Sequence, residues 1–256
     1  MQALARWWRR WAQGSVRHAW GLAPQGDGAW VLGGLSRPIH HLAKVQILVA
    51  LPAPPDLEAG DLSGLSQQLR QHGRSGGRAR HRLNLALPLA HLQEGVIDFP
   101  ADLPEEDWRY EVQLEVAQAL QLEPDAVNFD FEPAPLTDGL VQRVHWMGCA
   151  QARMAAFKSC TRAAGWRLAA VESELQAAHR GARALRGGVA SLMTQAPQDW
   201  QFRLDAPGEG PALSEPTQDR VLADSDAAIE EAVRQVMSTP GGPRLVAAGL
   251  ALKAWL

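Results

Sequence analysis

Apolar and polar side chains alternate in several short segments of the chain, and the first clear example is 82–88. Leu83, Leu85 and Leu87 are two residues apart there, as in a strand that buries one face. We expect 96–100 to pair back onto this strand. The same two-residue period predicts further strands at 126–131 and 141–147.

Apolar side chains recur at helical spacing between these strands. Pro104 and the three carboxylates after it are typical of a helix start, because proline fits the first turn and acids favour the positive end of the helix dipole. The spacing from Trp108 predicts a helix to about Gln121. An alanine-rich helix is predicted over 150–163, and it ends before Gly165.

The N-terminal third contains a predicted hairpin, with two strands in 16–36 around a turn at 26–28. A third strand is expected over 43–51 and an amphipathic helix over 57–71. The connection 70–82 holds five arginines and no acid, but it has no aromatic side chain for base stacking. We interpret it as a solvated linker.

Composition and charge narrow the class of protein. The 256 residues are 46% hydrophobic and carry a formal net charge of -3, which suits a protein with a substantial core and gives no case for nucleic-acid binding. Cys149 and Cys160 are expected to be buried, reduced thiols. No segment has the length of a membrane span or the form of a signal peptide, so we expect a cytoplasmic protein.

The central part of the chain shares an order of motifs with a known family. Leu87-Pro88 is followed by Leu103-Pro104, by Phe129-Asp130-Phe131, and by Ala164-Gly165 through Val171-Glu172. This order resembles the order of motifs in the small inserted subdomain of the PilM family. The members of that family are actin-like cytoplasmic proteins of type IV pilus assembly. Relatives of that family include FtsA and the cytoplasmic part of GspL.

The resemblance implies an α/β protein with mixed sheets, in which a truncated actin-like (ribonuclease-H-like) subdomain carries an inserted small α+β subdomain of the PilM/FtsA type. Helices are predicted at 224–237 and at 244–253, and the second resembles the helix that closes the family's fold. The expected domains are a basic, Trp-rich N-terminal helix at 1–17, the first actin-like part at 18–77, the inserted subdomain at 78–168 and a reduced second half at 169–256.

The resemblance also places the family's first phosphate-binding loop near 21–30. Ala23 stands where the family has an acid that orients magnesium-bound water, and Pro24 removes a backbone donor. The second loop would fall in 193–216, which is a polar stretch rich in Pro, Gly and acids. We therefore expect no nucleotide cofactor.

Few side chains are arranged for chemistry. Asp130 and Glu132 share one face of a predicted strand and could form an acid/base pair or half of a metal site, although an exposed strand face explains them better. The eight histidines show no zinc-binding spacing, and Ser159, Ser173 and Ser191 lie in no nucleophile motif. We expect no catalytic residue and no metal site.

The N-terminal segment is basic and amphipathic. On a predicted helix, tryptophans and arginines stand side by side at Arg6, Trp7, Trp8, Arg9, Arg10 and Trp11. Such a helix suits the headgroup region of an anionic membrane. The equally weighted alternative is an end helix whose tryptophans pack on the domain and whose arginines are solvated.

These features predict a non-catalytic adaptor of a type IV pilus or related secretion machine, located in the cytoplasm at the inner membrane. In the resembled family, a groove between the first and the inserted subdomain takes up a cytoplasmic peptide of the membrane-anchored protein PilN, and the assembly ATPase is a further candidate partner. Two alternatives stay open. One is an actin-like ATP-binding protein with an unrecognised nucleotide site, and the other is a small α/β enzyme that uses Asp130 and Glu132 in a pocket.

Overall fold

The computed structural model describes residues 18–25, 29–36, 42–51, 62–73, 81–100, 102–134, 141–203 and 226–254. The chain divides into two compact units. Unit 1 comprises Met1–Leu87 and Thr161–Leu256, and unit 2 comprises Pro88–Cys160. Unit 2 is therefore inserted into the chain of unit 1.

The described residues form nine strands and seven α-helices, numbered in chain order. The strands are β1 (His18–Pro24), β2 (Trp30–Ser36), β3 (Leu42–Leu51), β4 (Arg82–Leu87), β5 (Gln93–Pro100), β6 (Val127–Pro133), β7 (Val141–Ala150), β8 (Arg167–Ser173) and β9 (Gln201–Arg203). The helices are α1 (Ser63–Gly73), α2 (Glu105–Leu120), α3 (Gln151–Ala163), α4 (Glu174–Ala184), α5 (Gly188–Thr194), α6 (Asp226–Met237) and α7 (Gly242–Leu252).

The sheet of unit 1 has the strand order β8-β4-β1-β2-β3-β9. The first three strands of the chain are antiparallel neighbours, as the hairpin pattern predicts. β4 runs parallel to β1, and β8 runs parallel to β4. A parallel neighbour needs a long crossover, which α1 supplies between β3 and β4. The result is a mixed sheet with helices in its connections.

Side chains of β1 alternate between the two faces of this sheet. Ala19 and Ala23 lie in a buried core with residues of α7, and Gly21 faces the same way. A Cβ atom on Gly21 would lie only 2.1 Å from the carbonyl oxygen of Ala247 in α7. Small residues on this face therefore let α7 approach the strand closely.

Helices α4 and α7 contact each other through glycines. A Cβ atom on Gly249 would lie 1.8 Å from the carbonyl oxygen of Ala177, and one on Gly181 would lie 2.9 Å from that of Leu245. The amide of Asn84 in β4 donates to the carbonyl oxygen of Leu250 at 2.7 Å. These contacts fix α7 against both the neighbouring helix and the centre of the sheet.

The opposite face of the sheet carries Trp20, whose ring lies edge-on to that of Trp166 with 5.3 Å between ring centroids. The indole nitrogen of Trp166 donates to the carbonyl oxygen of Leu69 in α1 at 3.0 Å. Leu65 and Leu69 of that helix are buried. Unit 1 therefore has a helical layer on each face of its sheet.

Unit 2 is an antiparallel sheet of three strands, in the order β5-β7-β6, with α2 on one face. The rings of Phe99 and Trp108 stack with 5.7 Å between centroids, and Val116 of α2 contacts Gly148 of β7. The buried core of the unit consists of Phe99, Trp108, Val112, Val116, Ala117, Val127, Val144 and Trp146.

The ends of α2 are set by local residues. Pro104 precedes its first turn, as the sequence predicts. Gln121 adopts a left-handed conformation with a φ of 55°, and the N–H of Leu122 donates to the carbonyl oxygen of Ala117 at 2.9 Å. This is the hydrogen-bond pattern of a helix that stops abruptly.

One predicted strand pairing is wrong. The strand over 96–100 does not pair with β4, because both edges of β4 are already bonded to β1 and β8. It pairs with β7 in unit 2, along the register from Gln93–Gly148 to Pro100–Val141.

Smaller differences concern the limits of elements. Helix α1 begins at Ser63 in the described part of the chain, whereas the sequence predicted 57–71. The strand β9 was not predicted, and it pairs with β3. The turn at 26–28 and the basic N-terminal segment with its tryptophans and arginines lie outside the described residues.

The limits of the inserted unit in the structure differ from the expected limits of the inserted subdomain. The compact inserted unit runs from Pro88 to Cys160, whereas the sequence placed the subdomain at 78–168. The region 169–256 was expected to be a reduced second half. Its strand β8 and its helices α4 and α7 belong to unit 1 and build on the sheet that the N-terminal strands begin.

Candidate functional site

The carboxyl ends of parallel strands are where an open α/β sheet is expected to bind a ligand. In unit 1, β1, β4 and β8 are parallel neighbours, so their carboxyl ends share one edge of the sheet. Among these three strands, Glu172 is the only acidic residue, and it stands one residue before the end of β8. This carboxylate is therefore the first candidate for binding a cation or for activating a water molecule.

Glu172 is already paired with two cations inside the protein. Its side chain is only 2% exposed. Its carboxylate accepts from both terminal nitrogens of Arg180, of which Nη2 lies 2.8 Å from Oε2. The Nζ atom of Lys253 donates to the same Oε2 at 2.6 Å. We call Glu172, Arg180 and Lys253 the ion-pair cluster.

The ion-pair cluster joins elements that are distant in the chain. Arg180 lies on α4 and Lys253 directly follows α7, so the carboxylate of Glu172 connects both helices to β8. Arg180 also donates to the carbonyl oxygen of Gly249 at 3.2 Å. Charge-assisted, two-pronged hydrogen bonds of this kind fix geometry strongly. The carboxylate of Glu172 therefore serves to hold α4 and the end of α7 against β8.

Other groups at this edge are also occupied by the fold. The hydroxyl of Ser173 accepts from the backbone N–H of Gln176 at 3.2 Å and so caps α4. Ala23 is buried in the core beneath α7, and Pro24 pairs with Trp30 in the hairpin. The resemblance placed an acidic phosphate-loop position at Ala23, and this position carries an apolar side chain that packs against a helix.

Asp130 and Glu132 lie on the face of the unit 2 sheet that is opposite α2, and both are exposed. The Oδ1 atom of Asp130 accepts from the N–H of Phe131 at 3.0 Å. In the register of the sheet, Glu132 stands opposite His145, which is also exposed. The enzyme hypothesis required a pocket around the two acids, and both side chains lie on an exposed sheet face.

The remaining candidate residues are the two cysteines, Ser191 and the N-terminal arginines and tryptophans. Cys149 and Cys160 are buried, as predicted, and burial raises the pKa of the Cys160 thiol to about 11. Ser191 donates to the carbonyl oxygen of Arg186 in a local turn. Within the described residues, no group of three or more His, Cys, Asp and Glu side chains is placed to hold a metal ion. Arg6, Trp7, Trp8, Arg9, Arg10 and Trp11 lie outside those residues.

No local sequence motif indicates the ion-pair cluster. Its members are separated by 8 and 81 positions in the chain, so no local motif contains them. The one available signal is an acid at the end of an otherwise apolar strand, at Glu172. A buried acid needs a cationic partner, but the sequence does not show which cation comes close.

The mixed sheet, the inserted unit and the helical layers define an α/β protein that is consistent with an actin-like fold. The structure is similar to a chain of the PilM–PilN type IV pilus biogenesis complex, with a TM-score of 0.52 and 20% sequence identity. The match covers 65% of this chain and 50% of that chain, so the protein spans about half the length of that neighbour. At this identity, the likeness establishes the fold.

A second structure is similar at a lower level. It is the cytoplasmic domain of EpsL, an inner membrane component of the type II secretion system of Vibrio cholerae. Its TM-score is 0.45 and its identity 9%, with 62% of this chain and 58% of that chain covered. No protein-family model matches the sequence, and no curated protein matches it. In the described part of the chain, no helix has the length and apolar character needed to cross a membrane.

Proposed function

We propose that this protein is a non-catalytic adaptor of a type IV pilus or related secretion machine. In this role it stays in the cytoplasm at the inner membrane and docks a cytoplasmic peptide of a membrane-anchored, PilN-like partner. The observation that carries the proposal is the fold shared with a chain of the PilM–PilN complex. The order of motifs around Leu87-Pro88 and Phe129-Asp130-Phe131 supports the same assignment independently of the coordinates.

The ion-pair cluster supports the non-catalytic part of the proposal. A nucleotide site of the actin type needs carboxylates that place a magnesium ion beside the phosphates. The acid at the strand-end edge, Glu172, is instead bound by Arg180 and Lys253. Binding magnesium there would require breaking both ion pairs of a buried carboxylate, so the protein would be a pseudo-ATPase.

The packing of α7 supports the proposed role of unit 1 as a rigid scaffold for docking. Helix α7 packs on β1, where Gly21 lies beneath Ala247. It also packs on β4, where the side-chain amide of Asn84 donates to the carbonyl oxygen of Leu250. Its buried residues close the core of unit 1.

The N-terminal segment would add a second contact with the membrane, because weak anchoring usually combines two signals. Arginines beside tryptophans, as at Arg6, Trp7 and Trp8, favour anionic headgroups. Flotation with anionic vesicles tests this part. We expect the full chain to float and a variant without residues 1–14 to float less, and equal flotation would remove the membrane contact.

Isothermal titration calorimetry tests the docking role. The full chain is titrated with a synthetic peptide that covers the N-terminal cytoplasmic segment of the PilN-like protein from the same organism. We expect one-to-one binding in the micromolar range, and no binding of a scrambled peptide with the same composition. Absence of binding to the native peptide would contradict the docking role.

A further inference from the structure

Charge is distributed very unevenly between the two units. Residues 88–160 hold 13 acidic and 4 basic side chains, a formal charge of -9. The remaining residues hold 15 acidic and 21 basic side chains, a formal charge of +6. A unit with a large net charge of one sign attracts partners of opposite charge and speeds their association. Unit 2 is therefore suited to a basic partner.

The outer face of α2 exposes two large apolar side chains. Tyr110 is 63% exposed and Leu114 is 36% exposed. They are four residues apart, so they lie side by side on the helix surface. The buried residues of the helix, Trp108 and Val112, fall on its opposite side. An apolar pair on the solvent side contributes nothing to the core of unit 2.

Three exposed glutamates of the same helix lie near this apolar pair. Glu106 is four residues before Tyr110 and Glu111 is three before Leu114, so each neighbours a member of the pair, and Glu115 lies one turn after Glu111. Among the described residues, no ion pair to these glutamates is present. Arg109, the only cation of α2, lies over the ring of Phe129, with 5.2 Å from its guanidinium carbon to the ring centroid.

The sheet face of unit 2 opposite α2 also exposes acids, but one of them is already paired. On the sheet face opposite α2, Asp98 accepts from Arg143 at 2.8 and 3.1 Å, so part of its negative charge is already balanced. Glu132 stands opposite His145 in the same sheet. The α2 surface combines apolar side chains with acids that have no such partner among the described residues.

We propose that Glu106, Tyr110, Glu111, Leu114 and Glu115 form a docking face, here called the α2 face, for a basic amphipathic helix of a partner protein. Apolar side chains of that helix would pack on Tyr110 and Leu114, and its lysines and arginines would lie beside the three glutamates. Helix-in-groove recognition uses this combination of apolar anchors and flanking charges. The α2 face is a second interaction surface, beyond the peptide docking of the proposed function.

The probe for this proposal is a fluorescein-labelled peptide of Leu and Lys, with leucines at three- and four-residue spacing. Fluorescence anisotropy measures its binding to the full chain. We expect Tyr110→Ser with Leu114→Ser to weaken binding at least about tenfold, because the apolar anchors are lost without a change of charge. Glu111→Gln with Glu115→Gln should weaken it about tenfold and reduce its dependence on salt.

A matched control removes the same charge from the other face of unit 2. Asp130→Asn with Glu132→Gln should change binding by less than about twofold, since these acids lie away from the anchors. A scrambled Leu/Lys peptide controls for amphipathic order and should bind weakly. All substituted side chains are exposed, so circular dichroism should show unchanged thermal unfolding.

Three results would overturn the proposal. The first is unchanged binding after Tyr110→Ser with Leu114→Ser. The second is an equal loss from the Asp130 and Glu132 control, which would mean that only net charge matters. The third comes from sedimentation velocity: a wild-type dimer that the Tyr110 and Leu114 variant dissociates would make the α2 face a contact between copies of this chain. These results do not depend on the PilN-like peptide.

Discussion

At the scale of single residues, the best-defined feature is the carboxylate of Glu172. It is buried at the end of β8 and held by Arg180 of α4 and by Lys253, which directly follows α7. Removing one partner from a buried ion pair is costly, because the remaining charges lose their compensation. The cluster is therefore expected to contribute to stability rather than to chemistry.

Glu172→Gln tests that role. We expect a loss of about 2–4 kcal/mol in the free energy of unfolding, because Arg180 and Lys253 keep their charges without the carboxylate. Urea unfolding followed by circular dichroism measures it. Glu230→Gln is the control, since it breaks an exposed pair with Arg234 on α6 and should cost less than about 1 kcal/mol. Equal losses from the two variants would contradict the structural role of the cluster.

Gly249→Ala tests the contact between α4 and α7. The added methyl group would lie 1.8 Å from the carbonyl oxygen of Ala177, so the helices must move apart. We expect a loss of about 3 kcal/mol. Ala155→Ser adds one atom at an exposed position of α3 and should change stability by less than about 0.5 kcal/mol. A Gly249 variant as stable as wild type would show that the helices are not packed this closely.

The two thiols give a prediction about reactivity. Burial raises the pKa values of Cys149 and Cys160, so little thiolate forms at pH 8 and reagents reach it poorly. With Ellman's reagent, the native protein should react slowly, and both thiols should react at once in denaturant. Rapid reaction of two thiols in the native protein would contradict their buried position.

At the scale of elements, α2 has a different role on each side. Trp108 stacks on Phe99 in the core of unit 2, whereas Tyr110 is exposed. Trp108→Ala should therefore lower the free energy of unfolding by about 3–5 kcal/mol. Tyr110→Ala should change it by about 0.5 kcal/mol or less. Urea titration compares the two, and the reverse order would mean that α2 is rotated about its axis.

Most elements could be predicted from local patterns. The two-residue period of Leu83, Leu85 and Leu87 marks β4, and Pro104 with Gln121 brackets α2 closely. The partners of the strands could not be predicted in the same way. The strand at 96–100 pairs with β7 because β1 and β8 occupy both edges of β4, and this is a property of the whole sheet. The short β9 has too few residues to show a period.

At the scale of the whole molecule, the chain combines an inserted acidic unit with a sheet that has helices on both faces. The resemblance implies that Ala23 and Pro24 replace features of a phosphate loop, and this stays a prediction that rests on a local motif. The sequence did not show the ion-pair cluster, because Glu172 and Lys253 come together only after α7 packs on the sheet. Contacts between distant segments therefore account for what the sequence left unpredicted in the candidate site.

A comparison of ligands by thermal unfolding tests the adaptor proposal most directly. The full chain is heated alone, with the PilN-like peptide, and with ATP and magnesium. A ligand that binds only the folded state at about 100 times its Kd adds about 2.7 kcal/mol, which raises Tm by on the order of 5 °C. We expect this increase with the peptide and no change with ATP and magnesium. An increase with ATP and none with the peptide would contradict the proposal.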